Sequence, residues 1–352
     1  MNLPKRSIQT YLNKKLIYVL AIAFLTVSFL AGVSIGAVSV PIMDLLKILA
    51  KEILHFPIEQ TNEMYTNIVM NIRLPRVILA GLVGASLAVS GAAFQGLLRN
   101  PLADPYTLGV SSGASLGAVI VLFFSFSLPI IGPFTLPVFS VSFSFATIFA
   151  VLFFARKIDR SMKVESIILT GIIFSSFLGA FISLMIALTG NELRQIIGWL
   201  LGSVSMRGWS YITIILPFFL VGVLVLMLNA KELNALSFGE DRAQHLGVNV
   251  KRRKLTILTA GALLTGAAVA VSGTIGFVGL VVPHFIRQLC GPDHKHLLPL
   301  SLLSGGGFLI FADLVSRTII APTELPIGVI TALIGAPVFA AILMKNRTGR
   351  RR

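Results

Sequence analysis

The sequence predicts an all-α, polytopic integral membrane protein of about ten transmembrane helices, on three observations. Of its 352 residues, 55% are hydrophobic and only 12% charged, whereas soluble domains run nearer a quarter charged. The apolar residues gather in runs, many of them about 20 residues long, the length a helix needs to cross a ~30 Å hydrocarbon core. The basic residues stand mostly at the ends of those runs. A soluble fold of this size cannot bury so many helices that are apolar all round, so their solvent must be lipid. The net charge of +15 follows from the enrichment of Lys and Arg in cytoplasmic loops, and no nucleic-acid partner is expected. The single cysteine, Cys290, excludes an internal disulfide and a Cys-rich metal site.

Read between charged and Pro/Gly-rich breaks, the spans fall at 16–38, 74–97, 106–127, 134–154, 165–189, 210–229, 255–272, 276–290, 297–320 and 326–344. The first follows Lys5, Arg6, Lys14 and Lys15 as a secretory apolar segment would. It is longer than the roughly 7–15 residues of such a segment, so it reads as a retained span. The second, AGLVGASLAVSGAAFQG from Ala80 to Gly96, is rich in small residues. Helices in lipid gain little from apolar contact alone and pack through such residues. The eighth span is short and reads as tilted or partly re-entrant.

An even count puts both termini on one side. With the termini in the cytoplasm, only Lys47, Lys51, Arg73, Arg76, Arg194, Arg207 and Arg317 lie outside, and the other 22 of the 29 basic residues lie inside. This bias sets the orientation. An internal echo, Ala88-Val89-Ser90-Gly91 and Ala270-Val271-Ser272-Gly273, each followed by a proline (Pro101, Pro283), has the form of an inverted repeat. A four-residue match in so apolar a chain also arises by chance.

No G-x-x-x-x-G-K-[ST] loop, H-E-x-x-H pair, nucleophile elbow or dinucleotide fingerprint is present. Asp293, His294 and His296 are close in sequence, but they read as a hydrated loop rather than a metal site. No catalytic residue, cofactor or metal is expected.

Charge within a span costs at least ~2.5–3.5 kcal/mol, and Asp313 is the clearest case. It reads either as a proton relay or, preferably, as the partner of Arg317 one helical turn on. Arg73 and Arg76 flank Leu74-Pro75 at the entrance of the second span. They suit either snorkelling to headgroups or docking of a partner's carboxylates, for which Arg offers a rigid fork. The soluble segment 231–254, KELNALSFGEDRAQHLGVNVKRRK, reads as a short helix broken at Gly239. A second helix follows with Glu240 and Asp241 in its first turn, and Gly247 stops it. Leu233, Leu236, Phe238 and Leu246 are apolar in a segment that faces water, which marks a protein contact.

The stretch RLPRVILAGLVGASLAVSGAAFQGLLRNPLADPYTLGVSSGASLGA (Arg73 to Ala118) closely resembles permease subunits of iron-siderophore and cobalamin ABC importers, the FecCD family. GTIGFVGLVVPHFIR (Gly273 to Arg287) and ELPIGVITALIGAPVFAAIL (Glu324 to Leu343) extend the likeness over nearly the whole chain. The resemblance implies a type II permease bundle, with 1–352 a single permease domain. It also implies a second permease subunit forming a homo- or heterodimer, separate cytoplasmic ABC ATPase subunits, and an extracytoplasmic substrate-binding protein. It assigns binding-protein docking to Arg73, Arg76 and Arg317. ATPase coupling falls to segment 231–254 through Leu236, Gly239, Glu240, Leu246 and Gly247, and an inner gate to Asn100, Pro101 and Leu102.

Two rival classes remain at this point: an ion-coupled carrier, supported only by Asp313, and a passive channel, for which no filter-like ring is present. Segment 40–71 carries no motif and receives no role. The chelate carried, the identity of the partner permease and the exact span ends stay open.

Overall fold

The computed structural model describes residues 5–57, 62–159, 163–190 and 192–349. Arg160 and the terminal arginines 350–352 of the charge sorting above lie outside them. In chain order the helices are α1 (Lys5–Ser34), α2 (Ile42–Glu52), α3 (Glu63–Asn67), α4 (Leu74–Leu97), α5 (Val110–Phe123), α6 (Thr135–Ile158), α7 (Val164–Leu188), α8 (Leu193–Leu200), α9 (Trp209–Leu228), α10 (Ala230–Ser237), α11 (Glu240–His245), α12 (Val250–Ser272), α13 (Val278–Cys290), α14 (His294–Thr318) and α15 (Ile327–Gly349). Each of the ten expected spans coincides with one of these helices. Among the described residues, seven helical stretches are long and apolar enough to cross a membrane, and Val110–Phe123, Val278–Cys290 and Ile327–Ala340 are shorter apolar helices.

Helix α4 is the axis of the bundle. Most of its side chains are buried, and α14, α12 and α13 pack around it. Its small residues make that possible. A Cβ on Gly91 would stand 1.9 Å from the Gly279 carbonyl oxygen, and one on Gly84 would stand 2.2 Å from that of Gly305. The backbones of α13 and α14 therefore approach α4 as closely as small-residue packing allows. By contrast α7 and α9 bury few side chains and present broad apolar faces outward.

Three expectations are corrected. The second span does not begin at an entrance before Pro75. Helix runs continuously from Glu63 through a π segment, Ile68–Arg73, into α4. Pro75 lacks an N–H, and the wider π turn lies immediately before it. The third span is a 14-residue helix, about 21 Å at 1.5 Å per residue. Its expected start, residues 106–109, belongs instead to the irregular segment 98–109, which ends at Gly109 with φ 78°. Ala103, Asp104 and Leu108 of that segment are buried, the condition under which non-helical backbone is tolerated at membrane depth. Finally, the two echo tetrapeptides are not equivalent. Gly91 lies inside α4, whereas Gly273, with φ 71°, terminates α12. Pro101 lies in the turn after α4, whereas Pro283 lies inside α13.

Candidate functional site

The expected site residues collect at opposite ends of α4. Arg73 and Arg76 stand where it begins, and the turn Asn100–Leu102 follows where it ends.

At the arginine end, α1 stops at Ser34, and the last carbonyls of a helix have no partner within it. Arg73 donates from Nη1 to the carbonyls of Val33 (2.9 Å) and Ser34 (2.7 Å), and from Nη2 to that of Val38. Arg317 donates to the Gly32 carbonyl. Two guanidinium groups thus cap one helix, which also favours cations at its C-terminus. A Cβ on Gly36 would lie 2.6 Å from Arg73 Nη2, so a side chain there would displace the guanidinium.

Arg76 is the hub. Its Nε and Nη2 donate to the Asp313 carboxylate at 2.9–3.1 Å. Its Nη1 and Nη2 donate to Glu324 at 2.8 and 3.1 Å, and Nη1 also reaches Ser205. The expected Asp313–Arg317 pair is present at 3.6 Å, but Arg76 is the tighter partner at 2.9 Å. Burial alone would push the Glu324 carboxyl up. The hydrogen bonds and charge of Arg76, with Ser205 and Arg317, outweigh burial and hold it below the ordinary range. The three arginines and Glu324 line an open cleft of about 250 Å³ with Gly36, Ala37, Val38 and Pro322. Because the arginines are largely buried and internally bonded, they are neither headgroup snorkels nor free forks.

At the other end, the segment 231–254 forms the two short helices read from the sequence. Gly239 (φ 111°) breaks them and Gly247 (φ 82°) follows the second. The apolar side chains divide. Leu233 and Leu236 are buried, whereas Phe238 and Leu246 are 66% and 69% exposed. Leu236 is therefore a packing residue that seats α10, and the exposed apolar contact reduces to Phe238 and Leu246. Glu240 pairs with the buried Lys254 of α12. Asn234 joins α10 to the start of α14, donating to Asp293 at 2.7 Å and accepting from the His294 backbone N–H at 2.8 Å. His294 is buried, so that stretch is a packed joint rather than a hydrated loop. Among the described residues, no group of three His, Cys, Asp or Glu is placed to hold a metal.

The Asn100 side chain accepts from the Leu102 N–H at 2.9 Å, an Asx turn that leaves Leu102 exposed. Arg99 lines a cleft of about 660 Å³ together with Lys163, Glu165, Phe238, Gly239, Glu240 and Lys254. The residue directly before the turn therefore faces the same cleft as the 231–254 segment.

Sequence reading missed Glu324, Lys254 and Asp104. Glu324 carried a signal, an acid directly before Leu-Pro at the start of a span. Asp104 is buried in the irregular segment, with the Tyr106 N–H donating to it at 3.1 Å.

The bundle carries a cluster of charged side chains at one end and an exposed loop at the other. The chain belongs to the FecCD transport family, whose model matches residues 24–345. It is 60% identical over 339 residues to the uncharacterized ABC transporter permease protein YvrB of Bacillus subtilis, covering 96% of each chain. It is 40% identical to the hemin transport system permease protein HmuU of Yersinia pestis, covering 82% of this chain and 87% of that one. A solved chain described as an inward-facing ABC transporter of metal-chelate type superposes with TM-score 0.81 at 33% identity, over 94% of this chain and 99% of the other. The protein is therefore a permease subunit of an ABC importer in the cytoplasmic membrane. ATP hydrolysis resides on a separate subunit, and the family implies ATPase, binding-protein and permease partners.

Proposed function

We propose that the chain is the conduit through which a metal chelate enters the cytoplasm. The cargo is an iron-siderophore complex or a related chelate such as haem or cobalamin. The arginine end faces outward and receives a substrate-binding protein, the loop end faces the cytoplasm and seats the ATPase, and a second permease completes the path. Chain 1–352 acts as one permease unit, and segment 231–254 is its coupling element. The observation that carries this reading is the placement of the arginine cleft and the exposed Phe238–Leu246 loop at opposite ends of the same central helix, α4. Arg99, directly before the Asn100–Leu102 turn, lines the same cleft as Gly239 and Glu240, which supports a direct route from the coupling helices to a gate at that turn.

In this reading the arginine cleft takes acidic side chains, with Glu324 holding the outer edge of Arg76 when no partner is present. Glu324→Gln is then expected to tighten binding-protein affinity roughly two- to fivefold at low salt, the scale of an exposed charge pair. Weaker docking of that variant would argue against Arg76 as a receptor for a partner's acid. The function itself is tested in liposomes holding the permease, its ATPase and its binding protein. ATP hydrolysis and uptake are expected to rise when the binding protein carries a ferric chelate, haem or cobalamin. Uphill accumulation by the permease alone would overturn the reading.

A further inference from the structure

Segment 40–71, which the transport function leaves without a role, contains a helix with three distinct faces. On α2, Leu45 and Ile48 are buried against the bundle. At 100° per residue, Ile42, Leu46 and Ile53 fall on a second line with Met43 beside it, and Leu54 follows the helix. These five apolar side chains are each between 49% and 64% exposed. Lys47, with Asp44 and Lys51, occupies the third face. Single exposed apolar residues are ordinary. Five on one flank of a short helix, bordered by charge, form a contact surface.

The position of α2 identifies what covers that surface. The apolar part of α1, Lys14–Ser34, is 21 residues long, about 31 Å and thus the thickness of the hydrocarbon core. Helix α1 exposes apolar side chains along that length and so faces lipid. Its end at Ser34 is tied to the start of α2. Ser34 Oγ donates to the Val40 carbonyl at 2.6 Å, and Arg73 bonds the carbonyls of Val33, Ser34 and Val38. Helix α2 therefore begins where the chain leaves the hydrocarbon. Trp209, at the start of α9, marks the same level, because its ring N–H donates to the Met70 carbonyl at 3.0 Å. Tryptophan in such a place belongs to the interfacial belt.

We infer that α2 is an in-plane membrane anchor, laying Ile42, Leu46 and Ile53 into the headgroup–acyl boundary of the outer leaflet. Helices with one apolar and one charged face occupy that boundary. Here a third face joins the helix to the bundle, so α2 fixes the arginine end at a set depth. The occupant is lipid, because α2 is tied by the Ser34–Val40 bond to the end of α1, whose exposed apolar side chains run through the hydrocarbon core.

The choice of the outer leaflet rests on the proposed orientation, whereas the anchoring of α2 in a membrane boundary is independent of cargo and is read without it. In a Cys290→Ser background, spin labels are placed singly at Leu46→Cys, Ile53→Cys and Lys47→Cys. The full chain is reconstituted in vesicles of phosphatidylethanolamine and phosphatidylglycerol. The ratio of oxygen to water-soluble nickel accessibility is expected to be higher at positions 46 and 53 than at 47, because the apolar face of such a helix is buried in the boundary and its charged face is in water. Equal, nickel-dominated ratios at all three would overturn the inference. So would water exclusion at 46 and 53 that arises only on adding a binding protein, which would assign the flank to protein instead. Two independent label sites keep the result readable if one variant fails to fold.

Discussion

Arg76→Ala is expected to cost about 3–5 kcal/mol, the range for removing one partner of a buried ion pair. Asp313 is 1% exposed and takes its short hydrogen bonds from Arg76, whereas Arg317 lies 3.6 Å away. Without Arg76, a carboxylate inside the bundle faces one weakly placed cation, which is itself needed to cap α1. Glu324 and Ser205 also lose their donor, although Glu324 is exposed enough to rehydrate. The penalty comes from the charge left behind, so Arg76→Met with Asp313→Leu should recover most of it. Unfolding of the purified protein in lipid–detergent mixtures measures both variants. A loss under 1 kcal/mol for Arg76→Ala would mean that Arg317 or water holds Asp313. The same geometry disqualifies charge reversal as a docking assay. A carboxylate at position 73 would face three backbone carbonyls, and one at position 76 would face Asp313. Both would damage the fold before a partner was consulted. It also weakens the ion-coupled reading of Asp313, since a proton relay needs a path to water and this carboxylate is closed between two arginines.

What the sequence made legible follows from what lipid demands. Every span had to be a long apolar helix with its backbone bonds internal, so runs such as 74–97 located α4 (Leu74–Leu97) directly. Where protein rather than lipid surrounds the backbone, that demand relaxes. There the reading failed, at 98–109 before α5 and at the π segment 68–73. The glycines of the coupling segment were readable because φ 111° at Gly239 and 82° at Gly247 favour that residue. Burial was not readable. In a soluble-looking loop Leu236 and Leu246 have the same composition signal, and only the three-dimensional path of α10 separates a packing residue from an exposed one. The arginines show the same limit from the charged side. Their motif marked one end of the bundle, but the two acids that hold Arg76, Asp313 and Glu324, lie more than 200 residues away in the chain.

That division of the coupling loop sets the expectation with the largest functional effect. Phe238→Asp combined with Leu246→Asp should abolish detectable uptake and release the ATPase subunit during purification, while leaving the permease folded. Both side chains are about two-thirds exposed, and neither is part of the core, so a surface substitution there should change stability by no more than about 0.5 kcal/mol. In an assembled transporter they would be the buried apolar centre of the contact. Truncating such anchors costs upward of about 2 kcal/mol each, and a buried carboxylate costs more than a truncation. Two together therefore imply at least a thousandfold loss of affinity. Leu236→Ala provides the contrast. It removes a buried side chain of α10 and should lower stability by about 2–5 kcal/mol, with loss of ATPase following unfolding rather than preceding it. Co-purification, uptake and thermal midpoint measured on the same three proteins distinguish the two mechanisms. Retention of the ATPase by the double aspartate variant would place the power-transmitting contact elsewhere on the loop end. The next surface to examine would then be the Arg99–Lys163–Glu240 cleft, where Glu240 and Lys254 tie the short helix α11 to α12 and so to the bundle that must move.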